Sequence, residues 1–335
     1  MLKYILKRLF ISIFVLLGVS IIIYTLVRMM PNDYLDIKFS SQLQQGTITI
    51  DQLNEFKAQY GIGDNSFKGL VDGYFTWLTN MLKGDFGTSF KYEKAVSEVI
   101  GDNMWVSFAI AVIATVLQFA IAIPLGVTSA THQYSKRDYA VTIFTMIGIS
   151  LPTYFFAAII VKVFSVELGW FPSTGLISAG ETYTKDFAGF MAKLLDMGHH
   201  LVLPIACTVI LSLGGLMRYT RTNTLEVLNA DYIRTARAKG LPEKQVIYKH
   251  AFRNTMIPLV TLLAGILPSL FGGMMITEEV FAIDGIGRLA YKALSEGDIP
   301  FVMGYNMFLA VLTVIGTLFS DIMYSVVDPR VKLGK

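Results

Sequence analysis

Asn229-Ala230-Asp231-Tyr232-Ile233-Arg234-Thr235-Ala236-Arg237-Ala238-Lys239-Gly240-Leu241-Pro242-Glu243 is a charged island between two apolar runs, and its reading decides the fold. At about 100° per residue, Tyr232, Ile233, Ala236 and Gly240 share one quarter of a helix, and Asp231, Arg234, Arg237 and Lys239 take the rest. Gly240 suits a helix C-terminal stop, and Pro242 suits the first turn of the next helix. The stretch predicts a short amphipathic helix, a sharp corner, and a second helix carrying Lys244, Lys249, His250 and Arg253. Two readings fit it. It is a basic interfacial loop on anionic lipid headgroups, or a docking knob whose small residues Ala236 and Gly240 admit another chain.

The flanking runs, 201–219 and 256–281, are two of six that have the length of a bilayer span, about 20 residues. The others lie near 9–27, 103–130, 139–165 and 302–327. Of the 335 residues 53% are hydrophobic and 16% charged, against about 25% charged in a soluble domain. Mean hydropathy is +0.54. The first run ends in Val27-Arg28-Met29-Met30-Pro31 with no small-residue cleavage site, so it reads as a retained helix and not a signal peptide.

Loop charges orient the chain. Residues 218–253 carry eight Lys/Arg against three acids, 131–138 hold Lys136 and Arg137, and the tail holds Arg330, Lys332 and Lys335. These segments and the N-terminus are expected in the cytoplasm, by the positive-inside rule. Residues 31–101, with six lysines against nine acids, fall outside. The expected organisation is a cytoplasmic N-terminus and first helix (1–30), an extracellular cap (31–101) and a five-helix core (102–327). A cytoplasmic loop, 218–255, interrupts the core, and a cytoplasmic tail (328–335) ends the chain. In the cap, Asp51–Tyr60 and Lys68–Leu82 have helical spacing, followed by the turn cluster Gly84-Asp85-Phe86-Gly87-Thr88-Ser89.

Catalytic signatures are missing. The sequence has no Gly-rich phosphate loop, no H-E-x-x-H, no C-x-x-C and no G-x-S-x-G. Its one cysteine, Cys207, reads as a packing residue. His199-His200 reads as the start of an interfacial helix, without a metal-ligand partner set. Intramembrane charge is sparse, Lys162 snorkelling near an outer end and Asp321 in the inner half of the last run. That argues against a proton-coupled secondary transporter. No basic patch with interleaved aromatics invites nucleic acid.

Arg234-Thr235-Ala236-x-x-x-Gly240 resembles the E-A-A-x-x-x-G signature of ABC importer permeases. The fuller stretch Asp231–Leu241, followed by His250-Ala251-Phe252-Arg253-Asn254, is similar to the dipeptide/oligopeptide/nickel branch. The likeness runs along the chain: Leu82-x-Gly84-Asp85-Phe86-Gly87-x-Ser89, Ser150-Leu151-Pro152, Leu168-Gly169-Trp170-Phe171-Pro172, Gly285-Ile286-Gly287-Arg288-Leu289 and Asp328-Pro329-Arg330. Asp284 stands where the branch has proline.

The resemblance implies an all-α membrane protein, a type I ABC importer transmembrane domain with six transmembrane helices and an extracellular helical cap. It implies a non-catalytic permease subunit for peptides, with oligosaccharides or nickel chelates as alternative cargo. The partners would be a second homologous permease, two cytoplasmic ATPase subunits holding ATP and Mg, an extracellular solute-binding protein and the lipid bilayer. No cofactor would sit on this chain. Asp231, Tyr232, Ile233, Arg234, Thr235, Ala236, Gly240 and Leu241 would couple to the ATPases. Gly84, Asp85, Gly87, Ser89, Gly285 and Gly287 would shape the outer segments.

Overall fold

The computed structural model describes residues 2–30, 34–59 and 66–327. Gly61-Ile62-Gly63-Asp64 and the terminal Asp328-Pro329-Arg330, with the rest of the tail, lie outside the described residues.

Among the described residues four helices are long and apolar enough to cross a membrane, and a bent pair makes a fifth if counted as one span. Six were expected. The four lie in α1 (Leu2–Arg28), α5 (Val96–Thr131), α8 (Phe187–Leu228) and α15 (Ile299–Val327). The third expected run is the bent pair, α6 (Lys136–Ser150) and α7 (Thr153–Ile160) with its continuation to Glu167, turning by 106°. Leu151 is extended there (φ −84°, ψ 127°), because the ring of Pro152 disfavours a helical residue before it.

The fifth expected run fails as a span. It is divided into α11 (Phe252–Thr261) and α12 (Leu263–Phe271), with Pro258 and Pro268 each removing a backbone donor. It stops at Gly272, and a separate short helix, α13 (Met275–Val280), follows.

Residues 34–59 and 66–95 belong to the segment expected to form the cap. They carry α2 (Tyr34–Gln44), α3 (Ile50–Gln59) and α4 (Phe67–Leu82), and α4 lies alongside α1. Tyr74 Oη and Ser20 Oγ are 2.8 Å apart, eight residues before α1 ends. Ser66 caps α4, its hydroxyl accepting from Gly69 N–H at 3.1 Å.

The long helices pack through small side chains. Ala114, Ala122 and Ala130 are buried on α5, and α8 answers with Val209, Leu213 and Met217. Such a stripe lets backbones approach closely where lipid gives no hydrophobic drive. Cys207 is fully buried in a neighbouring apolar cluster, as a packing residue. Arg8 Nε reaches Asp321 at 3.2 Å, so the start of α1 and the end of α15 lie at one face. His199 and His200 sit inside α8 and not at its start; His200 is buried, its Nδ1 3.4 Å from Asp196.

Candidate coupling site and its anchors

The charged island folds as α9 (Asp231–Ala238), two residues after α8 ends. Asp231 stands in its first turn and Arg237 in its last, each of the sign the helix dipole favours. Gly240 has φ +76°, a left-handed conformation that costs other residues roughly 1–2 kcal/mol. Its N–H donates to Arg237 O at 2.9 Å and closes the helix. Pro242 then starts the short helix α10 (Glu243–Gln245). Arg237 clips the corner, Nη2 donating to Glu243 Oε1 at 2.7 Å and Nε to Oε2 at 3.2 Å. These bonds hold the Glu243 carboxyl below its ordinary value.

The apolar side of α9 is turned inward. Ile233 and Ala236 are buried in one cluster with Val246 and Ala251, against Val227, Leu228 and Leu241. Burying Ile233 stabilises this knob by roughly 1.5–3 kcal/mol. Ala236 therefore packs on its own chain. Asp231, Tyr232, Arg234 and Thr235 are exposed, and with Gly240 they form the free surface.

Behind α9, the inner ends of α5, α6 and α8 are tied by an ion pair. Arg221 Nε donates to Asp138 Oδ1 at 2.8 Å and Nη2 to Oδ2 at 3.0 Å. Ser129 Oγ adds a third bond to Oδ1 at 2.5 Å.

The outer motif residues gather around two fully buried carboxylates to which the sequence reading assigns no role. Glu278, on α13, accepts from Ser107 Oγ at 2.7 Å, Met274 N–H at 3.0 Å and Arg288 N–H at 2.9 Å. Gly285 and Gly287 line this nest; a Cβ on Gly285 would stand 2.4 Å from Ser107 Oγ and 2.5 Å from Glu278 Oε2. Asp298 accepts from Ser89 Oγ at 2.5 Å and from the N–H groups of Phe90, Lys91 and Phe301 at 3.1–3.3 Å. Asp85 Oδ1 accepts from Gly87 N–H at 2.8 Å and shapes the preceding turn, which Gly84 opens. One apolar cluster joins the two motifs, with Phe86 from one packed against it and Ile286 from the other buried in it. The residues expected to couple lie elsewhere: Ser107 and Ser129 are 22 residues apart on α5, about 33 Å along its axis.

Among the described residues no group of three or more His, Cys, Asp or Glu side chains is arranged to hold a metal ion. A helical membrane bundle with an amphipathic hook at one face and buried carboxylates that only brace loops defines a transport subunit, multi-pass in the cell membrane. Residues 122–333 match the family described as binding-protein-dependent transport system inner membrane component, and the chain belongs to that family. It is a non-catalytic permease subunit of an ABC importer.

The chain is 37% identical to the oligopeptide transport system permease protein AppB of Bacillus subtilis (strain 168), over 99% of this chain and 100% of that one. It is 31% identical to the dipeptide transport system permease protein DppB of Alkalihalophilus pseudofirmus, with the same coverage. Its fold is similar to a chain of the MetNI methionine ABC transporter solved in inward-facing conformations. The TM-score is 0.51 at 17% identity, covering 69% of this chain and 97% of the other.

Proposed function

We propose that this chain carries peptides across the membrane as one of two homologous permeases in an ATP-driven importer. Two cytoplasmic ATPase subunits, which hold ATP and Mg, press on the exposed face of α9, and an external solute-binding protein delivers the peptide to the outer segments formed by 31–101. Peptide cargo is inferred from the relatives, one named for oligopeptides and one for dipeptides.

The observation that carries the coupling is how α9 is held. Ile233 and Ala236 lock it to the chain, Tyr232 and Thr235 stay exposed, and two residues join it to the 42-residue α8. That helix is about 63 Å long, twice the thickness of the hydrocarbon core. A displacement of α9 is passed to a rod that crosses the membrane. The Arg221–Asp138 pair spreads the same motion to α6.

Transport in proteoliposomes tests this. The complete importer should accumulate labelled peptide with ATP inside and binding protein outside, and omitting either should stop it. Equal accumulation without the ATPase subunits would overturn the proposal.

A further inference from the structure

Two adjoining cavities run along α1, α4 and α15. The upper one, about 260 Å³, is lined by Tyr24, Arg28, Trp77, Asn80, Asp85 and Phe86. The lower, about 420 Å³, is an apolar groove lined by Ile13, Leu17, Leu78, Met81, Phe308 and Val311, and Phe86 is a wall of both.

Their depth in the membrane follows from α1. Arg8 and Arg28 are twenty residues apart, about 30 Å of helix, so they mark opposite edges of the hydrocarbon core. The upper cavity is thus at the outer interface. Along α1 the groove runs from Ser20, about 12 Å below Arg28, to Ile13, about 22 Å below it, and so straddles the midplane at about 15 Å, where the end of an outer-leaflet tail lies.

The polar groups are of two kinds. Arg28, the Asn80 amide and the Trp77 indole N–H are donors; the indole N–H is buried without an acceptor among the described residues. Asp85 is the one acid in the lining, and its carboxylate already takes one bond from Gly87 N–H. Donors on one side and a carboxylate on the other match a phosphate linked to an ammonium. A phosphate headgroup that lacks the ammonium, such as phosphatidylglycerol, would leave Asp85 without a counter-charge.

We infer that these cavities form a site for one outer-leaflet phospholipid with a zwitterionic headgroup, a phosphate linked to an ammonium. Arg28, Trp77 and Asn80 hold its phosphate, Asp85 its ammonium, and the groove beneath Phe86 takes an acyl chain. The apolar groove adjoining the polar cavity selects a lipid and not a soluble phosphoethanolamine. The bound lipid wedges α4 against α1 and α15.

The assembled importer, delipidated in mild detergent, is titrated with palmitoyl-oleoyl phosphatidylethanolamine or phosphatidylglycerol and read by native mass spectrometry. One phosphatidylethanolamine should be retained per copy of this chain, in preference to phosphatidylglycerol. Arg28→Gln should weaken retention about tenfold, the worth of one charge-assisted hydrogen bond. Val311→Trp, which fills the groove and leaves every polar group in place, should weaken it too. Lys136→Gln, at the exposed start of α6, should not. Thermal unfolding of each variant without lipid separates loss of the site from loss of the fold. Unchanged retention in correctly folded Arg28→Gln, equal retention of phosphatidylglycerol, or no retained lipid because the partner permease covers the cavities would overturn the inference.

Discussion

Arg221 and Asp138 meet through two parallel hydrogen bonds, 2.8 and 3.0 Å, and so fix α8 to α6 at the end of the bundle nearest α9. The Asp138 side chain is almost wholly buried. Removing one partner of such a pair strands a charge and costs about 3–5 kcal/mol. Arg221→Ala should therefore lower the unfolding temperature of the purified permease sharply, read by intrinsic fluorescence. Arg221→Ala together with Asp138→Ala should recover much of the loss, and equal melting of all three proteins would deny the pair its role.

A second prediction separates the two faces of α9. Ala236→Trp must force a ring into the cluster of Ile233, Val246 and Ala251, an overpacking cost of about 1–3 kcal/mol. Thr235→Trp adds the same bulk on the exposed side. Both should abolish co-purification of the ATPase subunits, but only Ala236→Trp should also destabilise the isolated permease. Thermal melts beside pull-downs check both halves.

How much of this was legible in the sequence depended on where the decisive partner lies. The hook at 231–241 needed only local signals: helical charge spacing, a glycine stop and a following proline. A helical wheel does not say whether an apolar quarter meets its own chain or another one, so the inward turn of Ala236 stayed hidden. Pro258 and Pro268 are tolerated in many unbroken membrane helices, and the division at Leu262 has no local mark, since leucine forms helices well. Glu278 drew no reading from the sequence at all. Its donor Ser107 is 171 residues away.

The outer nest gives a third prediction. Gly285→Ala puts a methyl group within 2.5 Å of Glu278 Oε2, and Glu278→Leu leaves the Met274 and Arg288 N–H groups without their acceptor. The first should cost about 1–3 kcal/mol and the second about 2–5 kcal/mol. Hydrogen exchange should rise in residues 273–290 for both, while α9 keeps wild-type protection.

A fourth concerns pH at the corner. Because Arg237 lowers the Glu243 carboxyl below its ordinary 4.5, the clip contributes stability above that value. The contribution is lost as pH falls through the lowered value. Exchange protection of residues 239–246 should be flat from pH 7 to about 5 and drop below that. Glu243→Gln should remove the drop; if the drop persists, another group controls the corner.

A fifth rests on Gly240. Val at φ +76° costs roughly 1–2 kcal/mol and re-aims the corner. Gly240→Val should insert and melt close to wild type, yet lose peptide-stimulated ATP turnover in the reconstituted importer. Undiminished turnover would mean the corner does not transmit.

The central claim is that the exposed face of α9 touches the ATPase subunits while its buried face holds the permease together. Cysteine cross-linking measures this most directly, because the sole native thiol, Cys207, is fully buried. With a short bifunctional maleimide, Thr235→Cys in membranes containing the whole importer should give a covalent adduct with an ATPase subunit. Ile233→Cys, two residues away on the buried face, should give none. Equal adducts at both positions, or none at Thr235→Cys in an importer that still transports peptide, would contradict the account.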